Sequence, residues 1–353
     1  MKVAVYEGQR AIRLQERPDL KAAPGEVVVK IKYCGVCGTD VHAYLHEGLL
    51  PTGLVLGHEN VGTVAEIGKG VEGWKVGDHV AAGPPGPCGE CYYCRHGHLT
   101  LCIHGFERTN GLSPGNDGGM AEYLRVKDPQ GMLLKLPDGV SFEDAVLIDT
   151  LGVALRGIRQ SRFRMGDNVV VVGAGAIGLA AVQFLKIGGA RHITVLNRSA
   201  GKRKLALQLG ADLALNPKEE GDILPKKIVD LYNGVGADIV FECAGNAEAA
   251  RTSVSLVKAG GQVLLLGVSG DPIPVPEAEF VMKEVELKAT LAYDKEEMHL
   301  AVDYLAQGRV NTKGMITDII SLDDIVEKGF ERLAASSDPV KIVVAPGGEY
   351  RYR

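Results

Sequence analysis

The sequence predicts an α/β protein in two parts, an irregular β domain and an open parallel sheet wound on both faces by helices. Three observations carry that expectation. Up to about residue 150 the chain is a succession of short β-type runs broken by Gly and Pro. From Asn168 onward, continuous apolar runs alternate with amphipathic helical patterns, the texture of a parallel sheet covered on both sides. The 353 residues also exceed one ordinary core, at roughly one domain per 150 residues.

The elements come in this order. "MKVAVYEGQRAIRL" reads as strand, turn and strand, with charges too frequent for a signal peptide. "EVVVKIKYCGV" (26–36), "ENVGTVAEIG" (59–68) and "GDHVAAG" (77–83) are further strands with turn residues between them. "NVVVVGAGAIGLAAVQFLKIGGA" begins the second texture as strand, tight turn and helix. "HITVLN", "AGKRKLALQLGA", "ADIVFECAG" and "GGQVLLLG" continue it. Past about residue 295 a long helix, "EEMHLAVDYLAQG", leads to a β/α tail ending in "KIVVAP". The expected domains are therefore 1–152 with 295–353, and 153–294.

Apolar residues make up 46% and charged residues 24%, the balance of a soluble globular protein. With a net charge of -5 and no basic run, neither nucleic acid nor an anionic membrane is an expected partner. No apolar run approaches the roughly 20 residues of a membrane span. The expected location is the cytoplasm, where thiols stay reduced and clustered cysteines hold metal more often than they form disulfides.

Gly173, Gly175 and Gly178 form G-x-G-x-x-G between an apolar strand and a helix, the context a dinucleotide fingerprint requires. The first glycine permits the turn, the second lets backbone approach a pyrophosphate, and the third lets helix and strand pack closely. Ala176 and Ile177 open the helix whose N-terminal amides face the phosphates. An acidic residue is expected about 20 positions on to bind the adenosine ribose. Asn197 stands there instead, with Arg198 next and Lys202 and Arg203 one turn later. Loss of the carboxylate removes repulsion toward a 2′-phosphate, and Arg198 offers it a planar fork, which predicts NADP over NAD. The alternative is Asn197 on the ribose hydroxyls, with the basic residues a solvated face.

Cys88, Cys91, Cys94 and Cys102 form C-x2-C-x2-C-x7-C. Such spacing wraps successive thiolates round one tetrahedral zinc, and four thiolates leave no position for substrate, which predicts a structural zinc; a redox or iron–sulfur role is the alternative. His96, His98 and His104 lie near, but the shell is complete without them. A second polar group gathers where a core strand should simply end, in "YCGVCGTDVHAYLHEG" and "GHENVG". Cys37, His58 and Glu59 suit a catalytic zinc that keeps a position open, with Asp40 placed to orient the His58 ring. Taken alone, that set fits a buried polar network equally well.

"CGVCGTDVH", "GHENVGTVAEIG", the Cys88–Cys102 spacing and "VVVVGAGAIGLAA" together resemble the zinc-dependent medium-chain alcohol dehydrogenase family, in the family's order and over essentially the whole length. The resemblance implies a GroES-like catalytic domain and a Rossmann coenzyme domain. It implies Cys37 and His58 as zinc ligands, Glu59 as a glutamate that ligates or exchanges with water, and Asp149 at the third ligand position. The other reading of Asp149 is an N-cap. Thr39 aligns with the hydroxyl that takes the substrate proton and His42 with the relay histidine. Cys34 and Cys243 are left as small buried hydrophobes.

The resemblance therefore implies a zinc- and NAD(P)-dependent oxidoreductase with two zincs per chain. It would transfer hydride between a small-molecule alcohol and the coenzyme. The Asp149-type site and the C-terminal stretch resemble the butanediol, threonine and polyol (sorbitol-type) branch, favouring a secondary alcohol or vicinal diol over ethanol. A homotetramer or homodimer built through the coenzyme domains is the implied assembly. A zinc-free quinone reductase of the same superfamily would lack Cys37, His58 and the thiol lobe. A zinc- and nucleotide-binding regulatory protein without turnover would be expected to show a basic face.

Overall fold

The β-branched runs of the first 150 residues become strands. Their pairing is seen in a computed structural model, which describes residues 1–83, 86–270, 272–273, 276–336 and 338–348. The chain forms two units, Met1–Gly152 with Ala292–Gly308 and Ile316–Arg353, and Val153–Leu291 with Arg309–Met315. It re-enters the first unit at Ala292, slightly ahead of the expected position 295. The segment Arg309–Met315 returns to the second unit, where the Asn311 amide donates to Gln183 Oε1 (2.7 Å) and Met315 is buried.

In the first unit β1 (Lys2–Gly8) and β2 (Ala11–Glu16) form the expected hairpin. β3 (Val27–Gly35), β4 (Glu59–Ile67), β5 (His79–Ala82), β6 (Tyr123–Val126) and β7 (Leu133–Lys135) build a larger sheet around β3. β3 is buried on both faces for nearly its whole length, which its VVV-run anticipates. Its antiparallel register with β4 runs from Val27 opposite Ile67 to Gly35 opposite Glu59. Tyr6, Tyr44, Leu56, Met120 and Phe330 are among the largest side chains buried in this core.

The second unit is a parallel sheet of β8 (Asn168–Val172), β9 (His192–Leu196), β10 (Leu213–Leu215), β11 (Ala237–Glu242), β12 (Val257–Leu265) and β13 (Glu286–Ala289). The spatial order β10-β9-β8-β11-β12-β13 is the doubly wound Rossmann order, and its winding reverses between β8 and β11. The helix Ala176–Ile187 is apolar nearly all round because the sheet and its neighbours enclose it.

The chain then returns to the first unit, where β14 (Asp318–Ser321) and β15 (Ile342–Ala345) complete the larger sheet. β15 runs antiparallel to β3, with Val343 opposite Gly35 and Val344 opposite Cys34. The end of β3 therefore has Glu59 on one side and the start of β15 on the other. Between Leu322 and Arg332 the chain forms a π-helix, Ile325–Glu331, which the sequence pattern did not foretell. Among the described residues no helix is long and apolar enough to cross a membrane.

Candidate functional site

The thiol lobe closes on itself. The ligand atoms of Cys88, Cys91, Cys94 and Cys102 all lie within 4.8 Å of one another. Cys88 and Cys94 sulfurs, and Cys91 and Cys102 sulfurs, are each 3.9 Å apart. A regular tetrahedron with Zn–S of about 2.3 Å has an edge of about 3.8 Å, so the four sulfurs already sit at metal-holding separations. Three backbone amides point at sulfur: Cys88 N at Cys102 (3.3 Å), Cys91 N at Cys88 (3.3 Å) and Cys94 N at Cys91 (3.5 Å). Such donors favour thiolate: the Glu90 amide first and then the Cys91 amide hold Cys88 below the ordinary thiol value, and the Cys94 amide foremost does the same for Cys91, whereas burial raises Cys94. The donor chemistry fits zinc.

A second set meets at the end of β3. Cys37 starts the helix Gly38–Leu45, and its amide donates to Asp40 Oδ2 (2.9 Å). Sulfur of Cys37, a ring nitrogen of His58 and a carboxylate oxygen of Glu59 lie within 4.8 Å of one another. Asp40 is buried, and burial raises its pKa. Its Oδ1 and His58 Nδ1 have no hydrogen-bond partner among the described residues and face each other at 3.7 Å. A carboxylate beside one ring nitrogen leaves the other for a metal. The mixed sulfur, nitrogen and oxygen set with a supporting carboxylate fits a zinc of the open kind.

Glu59 is not free in this cluster. Both of its oxygens accept from Lys341 Nζ at 2.7 Å, and both residues are buried. Lys341 stands just before β15 and Glu59 opens β4, so the register of both strands on β3 brings them together. Gly35 makes room, since a Cβ there would overlap Glu59 Oε2. Burial pulls the Lys341 pKa down, but the Glu59, Cys37 and Asp149 charges outweigh it and leave it raised.

Asp149 lies in the first turn of the helix Ile148–Gln160 rather than ahead of it. Its Oδ2 accepts from Tyr293 Oη at 2.8 Å. Burial, with the Glu59 charge beside it, pushes the Asp149 carboxyl up to about 6. Tyr293 occupies a slot that glycines leave open: a Cβ at Gly152 would lie 2.7 Å from its ring, and one at Gly83 2.9 Å from its hydroxyl. Thr39 Oγ1 is 3.8 Å from Cys37 Sγ at the exposed rim. His42, one turn on, is half-buried and stacks on the exposed His46 with ring centroids 5.9 Å apart. Burial first, then His46, lowers the His42 pKa. Both relay candidates thus ride one helix.

In the second unit the three fingerprint glycines behave differently from one another. Gly173 has φ of +99°, and a Cβ would lie 2.9 Å from Ala244 N. A Cβ at Gly178 would overlap Gly173 O. Gly175, by contrast, caps the helix Ala176–Ile187 with nothing within 4 Å of a Cβ, leaving space before Ala176 and Ile177. Asn197 Oδ1 accepts from Ser199 N (2.9 Å), while Arg203 donates to the carbonyls of Asn197 (2.9 Å) and Arg198 (2.7 Å). Arg198 is exposed, and among the described residues its guanidinium has no partner. Lys202 is buried on the helix Ala200–Gln208.

Known proteins resemble this chain over nearly its whole length. Residues 23–138 match the family described as Alcohol dehydrogenase GroES-like domain, and residues 176–307 match Zinc-binding dehydrogenase. The (R,R)-butanediol dehydrogenase of Bacillus subtilis is 30% identical over 98% of this chain and 100% of its own. The chain belongs to the zinc-dependent alcohol dehydrogenase family. A probable D-xylulose reductase A of Aspergillus clavatus is 31% identical over 97% of this chain and 95% of its own. The crystal structure of a putative zinc-binding dehydrogenase from Sinorhizobium meliloti, bound to NADP, superposes with a TM-score of 0.88 at 30% identity, covering 98% of this chain and 99% of that one. The protein is therefore an alcohol dehydrogenase-type enzyme with a GroES-like and a Rossmann unit. Its butanediol- and polyol-type relatives are the branch the sequence resembles. Lys341 and Tyr293 are the residues that sequence reasoning missed.

Proposed function

We propose that this enzyme interconverts a secondary alcohol, vicinal diol or polyol with the matching ketone, using NADP in preference to NAD. The cluster of Cys37, His58 and Glu59 carries the reading, because a mixed donor set is what leaves a zinc accessible to substrate. Relatives named for butanediol and for D-xylulose support the substrate class. Cys37 and His58 would hold the catalytic zinc with Glu59, which ligates or exchanges with water and is kept in place by Lys341, and with Asp149 at the third ligand position. Cys88, Cys91, Cys94 and Cys102 would hold a second, structural zinc. When bound, the catalytic ion supplies Lewis acidity to the alcohol oxygen, and the nicotinamide ring supplies the hydride acceptor.

The chain's own residues do the rest. Thr39 takes the substrate proton at the rim of the cluster, and His42 passes it outward along the same helix face. Asp40 holds the His58 ring. Tyr293 fixes the Asp149 carboxylate. Arg198 binds the 2′-phosphate, and Gly175 with the helix start receives the pyrophosphate. All seven cysteines are free, which suits a reducing compartment such as the cytoplasm. We also infer a homo-oligomer joined through the second unit. β13 pairs only with β12 among the described residues, and the apolar Val281, Met282 and Leu287 near it are exposed. Light scattering that found a monomer would refute that assembly.

Assaying 2,3-butanediol, sorbitol, threonine and ethanol with NADP and with NAD tests the reading. The expected order places a diol or polyol with NADP first by kcat/KM; ethanol first, or NAD first, would overturn the corresponding half. Arg198→Ala should lower kcat/KM for NADP about 10-fold and leave NAD nearly unchanged. His42→Ala should slow turnover most at low pH, where releasing the proton is hardest, and an unaltered pH–rate profile would remove His42 from the route.

A further inference from the structure

The coenzyme turn rests on a carboxylate outside the fingerprint. Glu242 is the last residue of β11 and pairs with Val172, the residue before Gly173. This pair marks the point where the winding of the sheet reverses, and in open α/β sheets ligands bind beyond the strand ends at that point. Glu242 is buried, with 1% of its surface exposed, in a place where an acidic side chain is rare unless satisfied. Its Oε1 accepts from Ala244 N (2.7 Å) and Gly245 N (2.8 Å), bending residues 243–245 back over the strand end. Its backbone carbonyl accepts from Leu266 N (2.8 Å) and Gly267 N (3.0 Å), tying in the end of β12.

The folded loop is in close contact with the fingerprint. A Cβ at Gly173 would lie 2.9 Å from Ala244 N and 3.0 Å from Ala244 Cβ; one at Gly178 would lie 3.5 Å from Cys243 Cβ. On the other side a Cβ at Gly267 would overlap Gly245 N and come within 2.8 Å of Glu242 Oε2. Gly245 itself holds φ of +66° against Val268. Gly173, Gly178 and Gly267 thus pack against the loop that one carboxylate holds, and neither they nor Gly245 within it has room for a side chain.

We propose that Glu242 is a positioning residue for the coenzyme: by holding the amides of Ala244 and Gly245 it fixes the loop on which the Gly173–Gly178 phosphate turn rests. Without the carboxylate, two amides lose their acceptor and loop 243–245 is released. The phosphate turn then keeps its sequence but loses its support. This rests on the coenzyme assignment above.

The test is titration of the zinc-loaded enzyme with NADPH and with NADH by fluorescence, alongside kcat and KM for the coenzyme. Glu242→Ala should weaken coenzyme binding roughly 10- to 100-fold, as expected for losing hydrogen bonds to a charged acceptor. kcat at saturating coenzyme should fall far less. Glu242→Gln keeps an acceptor oxygen and should recover most of the affinity. Gly267→Ala keeps the acid in the chain but pushes both the carboxylate and the loop from behind, and should raise Kd in the same direction if Glu242→Ala does not fold. Glu242→Ala and Gly267→Ala proteins that bind coenzyme within about twofold of wild type, with only Tm lowered, would overturn the proposal and leave the coenzyme site standing. A wild-type protein that binds neither nucleotide would overturn both.

Discussion

The two cysteine-bearing clusters of the first unit are built on opposite plans. The thiol lobe draws its four ligands from fifteen consecutive residues, and local backbone amides supply its hydrogen bonds. The cluster at the end of β3 draws Cys37 from the start of the helix Gly38–Leu45 and His58 with Glu59 from the start of β4, and is surrounded by buried charges. The lobe is complete without the rest of the protein. The β3 cluster exists only once β4 has paired with β3, and its Lys341 contact only once β15 has. A closed local site suits structure, and an open one assembled at a strand end suits chemistry.

The sharpest break between the two would come at Cys37. Cys37→Ala should lower kcat/KM on the order of 10³-fold, because a metal's charge stabilisation is worth several kcal/mol, while the chain stays folded with one zinc. Full turnover would move the chemistry elsewhere. Next is the buried pair beside it. Lys341→Met leaves the Glu59 carboxylate uncompensated and should cost about 3–5 kcal/mol of stability, most of it restored by adding Glu59→Gln. Denaturant unfolding of the single and double variants reads this; independent, additive losses would mean the two do not act as a pair. Smaller again, Tyr293→Phe removes the hydroxyl bonded to Asp149. Zinc retention against a chelator should weaken about 10-fold, the lower end for losing a partner of a metal ligand. Unaltered retention would place Asp149 outside the metal's shell.

The difference in plan also explains what could be read from the chain alone. C-x2-C-x2-C-x7-C is legible because the ligands are close in sequence. The fingerprint glycines are legible for the same reason, and the structure separates their roles, with Gly175 open and Gly173 and Gly178 pressed against backbone. Lys341 was not legible. It contacts Glu59 across 282 residues and stands before an ordinary apolar strand, so only the β3–β15 register reveals it. Tyr293 reaches Asp149 across 144 residues and is recognisable only from the space left at Gly83 and Gly152. Thr39 and His42 were suggested by motif resemblance, while their shared helix was hidden by the β texture around it. Lys202 was named for its charge, and its burial on the helix was not legible in the sequence.

The division of labour is tested most directly by zinc content and turnover measured together on Cys91→Ala. The account predicts that the lobe's zinc is lost and stability or assembly falls, while protein that remains assembled keeps one zinc and turns over within about threefold of wild type. A stable, assembled Cys91→Ala enzyme that had lost its chemistry would contradict it.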